Sequence, residues 1–169
     1  MSYRNKTYVA FASEDIHLYR LMEAWRDNDK IDFDFFDAHD IFQSRDTSKR
    51  ETIKRNLCER MKNAKQVVLI GSPDAKRKGG DGYSFLAHEV ELIIEMNLPV
   101  VVANKGGSRL IKKEFIPVPF SDADYYTISV SLQPAIIKYA LDNYTRVFRD
   151  SDKKGPHYYL GETYSGLGI

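Results

Sequence analysis

Gln66-Val67-Val68-Leu69-Ile70-Gly71, running into Ser72-Pro73, is the stretch that decides the fold. It is β-branched, uncharged and closed by a Gly-Ser-Pro stop. An apolar run of this length, bounded this way, reads as a strand buried on both faces, the habit of parallel sheets. Upstream, residues 50–62 read as a helix with Ile53, Leu57 and Met61 on one face. Downstream, Lys76-Arg77-Lys78-Gly79-Gly80-Asp81-Gly82 reads as a basic, glycine-rich loop, and Ser84 as the cap of a helix over 84–96. Asn97-Leu98-Pro99 ends that helix. Val100 to Ala103 then form another apolar strand, ending at Asn104-Lys105-Gly106-Gly107.

The same alternation continues outward. Tyr8-Val9-Ala10-Phe11-Ala12 is a short apolar strand, and Ser13, with Glu14 and Asp15 in the first turn, is placed to cap the helix that follows. Leu18, Leu21, Met22 and Trp25 give that helix one apolar stripe. Phe33, Phe35 and Phe36 mark a second strand stopping at Asp37, and residues 38–48 form a polar connection of functional-loop length. Residues 125–130 suit an edge strand, and residues 132–144 a final helix with Ile136, Ile137, Ala140, Leu141 and Tyr144 inward. Alternating strands and helices imply an α/β domain over residues 1–150, with four to five parallel strands flanked by helices. Residues 151–169 read as an extended C-terminal tail that packs on or extends from the domain.

Composition narrows the function classes. Lys and Arg number 25 against 24 Asp and Glu, a net charge of +1, so no global field draws the chain to nucleic acid or anionic membrane. The single cysteine, Cys58, allows no internal disulfide and reads as a small core residue of its helix. The N-terminus lacks the apolar core of a signal peptide, and no run nears the ~20 residues of a membrane span. A soluble, cytoplasmic protein is expected. The histidines, at 17, 39, 88 and 157, lack zinc-like spacing, so no metal site is expected; no Walker motif and no Gly-x-Ser-x-Gly elbow occur.

In open α/β sheets, ligands bind outside the carboxyl ends of the strands. That rule gathers residues 13–15, 37–46 and 72–84 at one crevice, with the helix start at 84–89 beside them. Glu89 stands out there. It shares a helix face with Phe85, Leu92, Ile93 and Met96, an uncommon place for a carboxylate. Burial raises such a group's pKa and the helix N-terminus opposes the rise. The pattern alone leaves open a helix-face glutamate paired with a basic neighbour. Glycoside hydrolysis ordinarily needs two carboxylates. A cationic nicotinamide is already a good leaving group, so a single carboxylate suffices to stabilise or trap the oxocarbenium-like ribose. Asp37 at a strand end, and Ser13 and Asp15, are further ligand candidates that serve equally as turn or cap residues.

Thr7-Tyr8-Val9-Ala10-Phe11-Ala12-Ser13-Glu14-Asp15, Phe36-Asp37-Ala38, Val68-Leu69-Ile70-Gly71-Ser72 and Phe85-Leu86-Ala87-His88-Glu89-Val90 resemble, in order and spacing, the TIR-like proteins of the Thoeris anti-phage system. The resemblance spans residues 7–104. It implies a flavodoxin-like three-layer sandwich and an enzyme that consumes NAD as substrate, with no separate cofactor. Nicotinamide would be released and a cyclic or conjugated ADP-ribose signal made, which activates a separate effector. It implies Glu89 as the catalytic residue, on the helix after the third strand. Phe11, Ala12, Ser13 and Asp15, Asp37, and Ser84 with Phe85 would border the NAD pocket, and copies would self-associate. Phe85-Leu86 stands where many TIR enzymes carry Trp-Cys, which keeps an apolar wall. Two other readings stay open: a TIR-like scaffold without turnover, and a nucleoside deoxyribosyltransferase-like enzyme. A response-regulator receiver fits poorly, because Gly71-Ser72 stands where it needs an aspartate.

Overall fold

The structure, a computed structural model, describes residues 6–35 and 50–169. Five strands form one parallel sheet in the order β1 (Thr7–Ala10), β2 (Gln66–Gly71), β3 (Val100–Asn104), β4 (Thr127–Ser131), β5 (Pro156–Tyr158). Each step is a parallel pairing, with Val9 opposite Val68, Val68 opposite Val101 and Val101 opposite Ile128. Every residue of β1 to β4 is buried, as the uncharged strand patterns demand of a sheet covered on both faces. The expected α/β, TIR-like architecture with flanking helices is present.

The helices between the strands are α1 (Ile16–Asp27), α2 (Arg50–Met61), α3 (Pro73–Gly79), α4 (Phe85–Glu95), α5 (Val118–Asp122), α6 (Pro134–Val147) and α7 (Gly161–Gly166). Helix α6 packs on β2, β3 and β4, while α4 packs against α2, α3 and α5. Ile53, Leu57 and Met61 bury the inner face of α2, and Lys54 reaches Glu91 of α4 at 2.8 Å. Helix α4 is buried almost all round, from Leu86 to Val90 and again at Leu92 and Ile93, so its apolar face is broader than one stripe.

Several expectations are corrected. Residues 33–35 join no ladder: Phe33 and Phe35 bury their rings against Trp25 and Tyr19 of α1 without strand pairing. Phe36, Asp37 and the 38–48 connection lie outside the described residues. Consequently α4 follows the second described strand rather than the third. Residues 73–79 are helix, not loop, because the Ser72 hydroxyl accepts the Ala75 amide at 3.0 Å and Pro73 opens the first turn. Those two start signals outweigh the glycines that follow. Cys58 is exposed on α2, facing away from Leu57. Strand β4 is internal rather than an edge, and α6 is not the last helix, because the C-terminal segment supplies β5 and α7. No helix of the described residues is long and apolar enough to cross a membrane.

Candidate functional site

The chain begins α4 with Asp81, whose Oδ1 accepts the amides of Tyr83 at 3.0 Å and Ser84 at 2.8 Å. The Ser84 hydroxyl also donates to Asp81, so Ser84 sits at the N-cap position but does not cap the helix through its side chain. Phe85 is half-buried at the mouth of α4. One turn further in, Glu89 is fully buried. The Tyr8 hydroxyl, from the middle of β1, donates to Glu89 Oε1. The carboxyl is thus enclosed against the sheet, not laid open in a crevice. Burial raises its pKa from 4.5 to about 8, against the opposing pull of the Tyr8 hydrogen bond and the Arg60 charge on α2. The same burial, with Glu89 beside it, holds the Tyr8 phenol well above its ordinary range. Burial thus favours the protonated carboxyl, while the Tyr8 hydroxyl and the Arg60 charge favour the ionised form.

A second cluster gathers where β1, β2 and β3 end. Asp15 is fully buried; its Oδ2 accepts the Ser72 hydroxyl and its Oδ1 meets Lys105 Nζ at 3.3 Å. Lys105 is positioned by Asn104, whose Nδ2 donates to the carbonyls of Ser108 at 3.0 Å and Leu110 at 2.8 Å. Gly71 leaves the room for this: a Cβ there would lie 2.8 Å from Val102 Cγ1 and 3.2 Å from Asn104 Oδ1. Ser13 is exposed and accepts from Lys78 Nζ at 2.7 Å, while Lys78 also pairs with Glu14 at 3.0 Å. Neither Ser13 nor Asp15 caps a helix with its side chain. The Phe11 ring stacks on Tyr19 at 4.7 Å, and the Ala12 carbonyl accepts the Asp15 amide at 2.8 Å.

The fold therefore brings Ser13 and Asp15 together with Ser72, Lys78 and Lys105, and sets Glu89 against Tyr8. Asp37 lies outside the described residues. Among the described residues no group of three His, Cys, Asp or Glu side chains could hold a metal. Tyr8 and Ser72 were not singled out by sequence reasoning. The signal for Tyr8 was a polar-tipped ring within a buried strand, since a buried phenol requires a hydrogen-bond partner. For Ser72 it was a hydroxyl immediately before a proline at a strand's carboxyl end.

Because Ser72 serves both the α3 amide and the Asp15 carboxylate, Ser72→Ala is expected to cost about 2–3 kcal/mol, a lost cap plus a buried acceptor losing a donor. Urea unfolding would show it; a loss below about 0.5 kcal/mol would mean that neither bond stabilises the fold.

The family model for the TIR-like domain of Thoeris protein ThsB matches residues 8–109. The chain belongs to this Thoeris TIR-like family. The match runs from β1 through α4 to just beyond β3, so it contains both Glu89 and the Asp15–Ser72–Lys105 cluster. Strands β4 and β5 lie beyond it and extend the same sheet. Among curated proteins, none matches the chain.

Proposed function

We propose that this TIR-like domain cleaves NAD between nicotinamide and ribose, with Glu89 as the working carboxyl group. The observation that carries the reading is a fully buried carboxyl on α4, held by the Tyr8 hydroxyl. In the reaction the C1′–N bond breaks and its electron pair leaves with nicotinamide, which departs neutral. The positive charge left on the ribose draws Glu89 to its ionised form, its proton passing to water as the site is uncovered, and the carboxylate stabilises or traps that centre until an oxygen nucleophile attacks and gives up its own proton to water. The product would be ADP-ribose or a cyclic or conjugated relative that signals to a separate effector, with copies of the domain assembling during defence.

Since Glu89 is enclosed, turnover requires a step that uncovers it, and activity should depend on assembly or a trigger. The test is nicotinamide release from NAD at high protein concentration, and NAD loss in cells during phage infection. Wild type should act and Glu89→Gln should not. Equal behaviour of the two in both settings would replace the enzyme with a scaffold. Base exchange between nucleosides without NAD use would instead mark a deoxyribosyltransferase-like activity.

Tyr8→Phe offers a second check. The Tyr8 hydrogen bond lowers the Glu89 pKa, so its removal raises that pKa further. The acidic limb of the activity profile should move to higher pH in Tyr8→Phe, and an unmoved limb would separate Tyr8 from the reaction.

A further inference from the structure

At the sheet edge remote from Glu89, strands β4 and β5 and helix α6 enclose a cleft of about 360 Å³. Four strand spacings separate β1 from β5, roughly 19 Å, so this cleft is distinct from the Glu89 site. Its walls combine rings and cations. Tyr126 is fixed by stacking on Phe148, with centroids 6.0 Å apart and planes at 12°, and by the edge of His157 at 5.0 Å. The His157 ring is itself held by a 3.0 Å contact between Nε2 and the Lys154 carbonyl. Tyr159 is braced by Tyr139 at 5.3 Å. Tyr158, in contrast, is 45% exposed and makes no ring contact among the described residues. It leaves a stacking face unused beside rings that are already immobilised.

Arg146 and Lys153 line the same cleft, and among the described residues no carboxylate does. Arg146 donates to the neutral Asn143 Oδ1 at 3.2 Å, and neither cation forms an ion pair among the described residues. Many other surface cations of this chain are paired: Arg20, Lys54, Lys62, Arg77, Lys78 and Lys138 each meet an acid. Open aromatic faces beside unneutralised cations suit a planar ring carrying a negative group. The volume suits one such ligand, at the lower end of small-molecule sites. A near-neutral chain, net charge +1, offers no global field to draw in a polynucleotide.

We propose that this cleft binds a free nucleotide, its base stacked on Tyr158 and its phosphates met by Arg146 and Lys153. The test is calorimetric titration of the full chain with ADP, with adenosine and inorganic phosphate as separate probes. ADP should bind saturably at one site through this cleft, and each fragment about tenfold or more weaker, since base and phosphate groups both contribute. Tyr158→Ala, and Arg146→Ala with Lys153→Ala, should each weaken ADP about tenfold without shifting the thermal midpoint, because all three side chains are exposed. Glu89→Gln should leave ADP affinity within about twofold, as expected for distant sites. The proposal is overturned if ADP does not saturate, or if its binding survives the cleft variants. It is equally overturned if short single-stranded DNA binds more tightly than ADP with affinity rising with length, which would assign a polymer.

Discussion

Glu89→Gln is expected to stabilise the folded domain at neutral pH while abolishing the NAD cleavage proposed for it. The two effects share one cause. A carboxyl with no exposed surface keeps its proton until about pH 8, whereas in the unfolded chain it ionises near 4.5. Between those values the folded state holds the extra proton. Stability therefore falls as pH rises from about 4.5 to about 8, and this group adds no slope outside that window. Glutamine is nearly isosteric, still accepts the Tyr8 hydroxyl through its carbonyl oxygen, and never ionises. The variant should lose this component of the pH slope. Urea unfolding of both proteins from pH 4.5 to 8.5 reads it directly. Parallel curves would show that Glu89 is already ionised in the folded state and would remove the physical case for a strained, functional carboxyl.

Such a destabilised acid is what a reaction with a developing cation can use. In the resting fold, the surroundings of Glu89 favour the neutral form; the approach of positive charge reverses that preference. Arg60 and the Tyr8 hydroxyl already pull in the ionised direction, so the balance lies within reach of a bound cation. An apolar residue would serve the core of α4 better, as Leu86, Val90 and Ile93 do. The departure from that local rule is itself the argument for function at this position.

What was legible in advance follows from which signals are local. The β2 strand and its neighbour Val100–Asn104 were readable because uncharged, β-branched runs need no knowledge of partners. Glu89 was readable for the opposite reason, as a charged residue where the helix pattern calls for an apolar one. Phe33 and Phe35 carry the alternation of a strand, yet their rings find burial on Trp25 and Tyr19, and alternation alone does not distinguish that from ladder pairing. The Tyr8–Glu89 contact spans 81 positions, and Lys105 reaches Asp15 across 90. Contacts this remote depend on strand order, which no local window contains. The 73–79 helix was hidden by Gly79 and Gly80, although Ser72-Pro73 announced it. Asp37 belongs to the segment outside the described residues.

The C-terminal segment was the least legible part, and its removal is the second large effect expected. A six-residue helix with one fully buried side chain, Tyr164, shows no periodicity to read. That side chain nonetheless anchors the tail. Its hydroxyl accepts the Ser131 amide at the end of β4, at 3.2 Å, and the Arg109 guanidinium lies 4.2 Å over its ring. Strand β5 meanwhile pairs residues 156–158 with Thr127, Ile128 and Ser129. Tyr164→Ala is expected to cost about 4–6 kcal/mol, combining an emptied aromatic site with a buried amide left unsatisfied. That is a large share of the roughly 5–15 kcal/mol that holds a domain folded. Tyr164→Phe keeps the ring and should cost only about 1–2 kcal/mol, while Arg109→Ala should cost about 0.5–1 kcal/mol. Ending the chain after residue 155 should go further than any of these, because β4 then becomes an unpaired edge strand prone to association. Chemical denaturation of the three variants, and light scattering of the shortened chain, test the ranking. If Tyr164→Ala unfolds within about 1 kcal/mol of wild type, the tail is not docked as the structure has it. The sheet would then end at β4, and the nucleotide cleft assigned to the β5 edge would lose its wall.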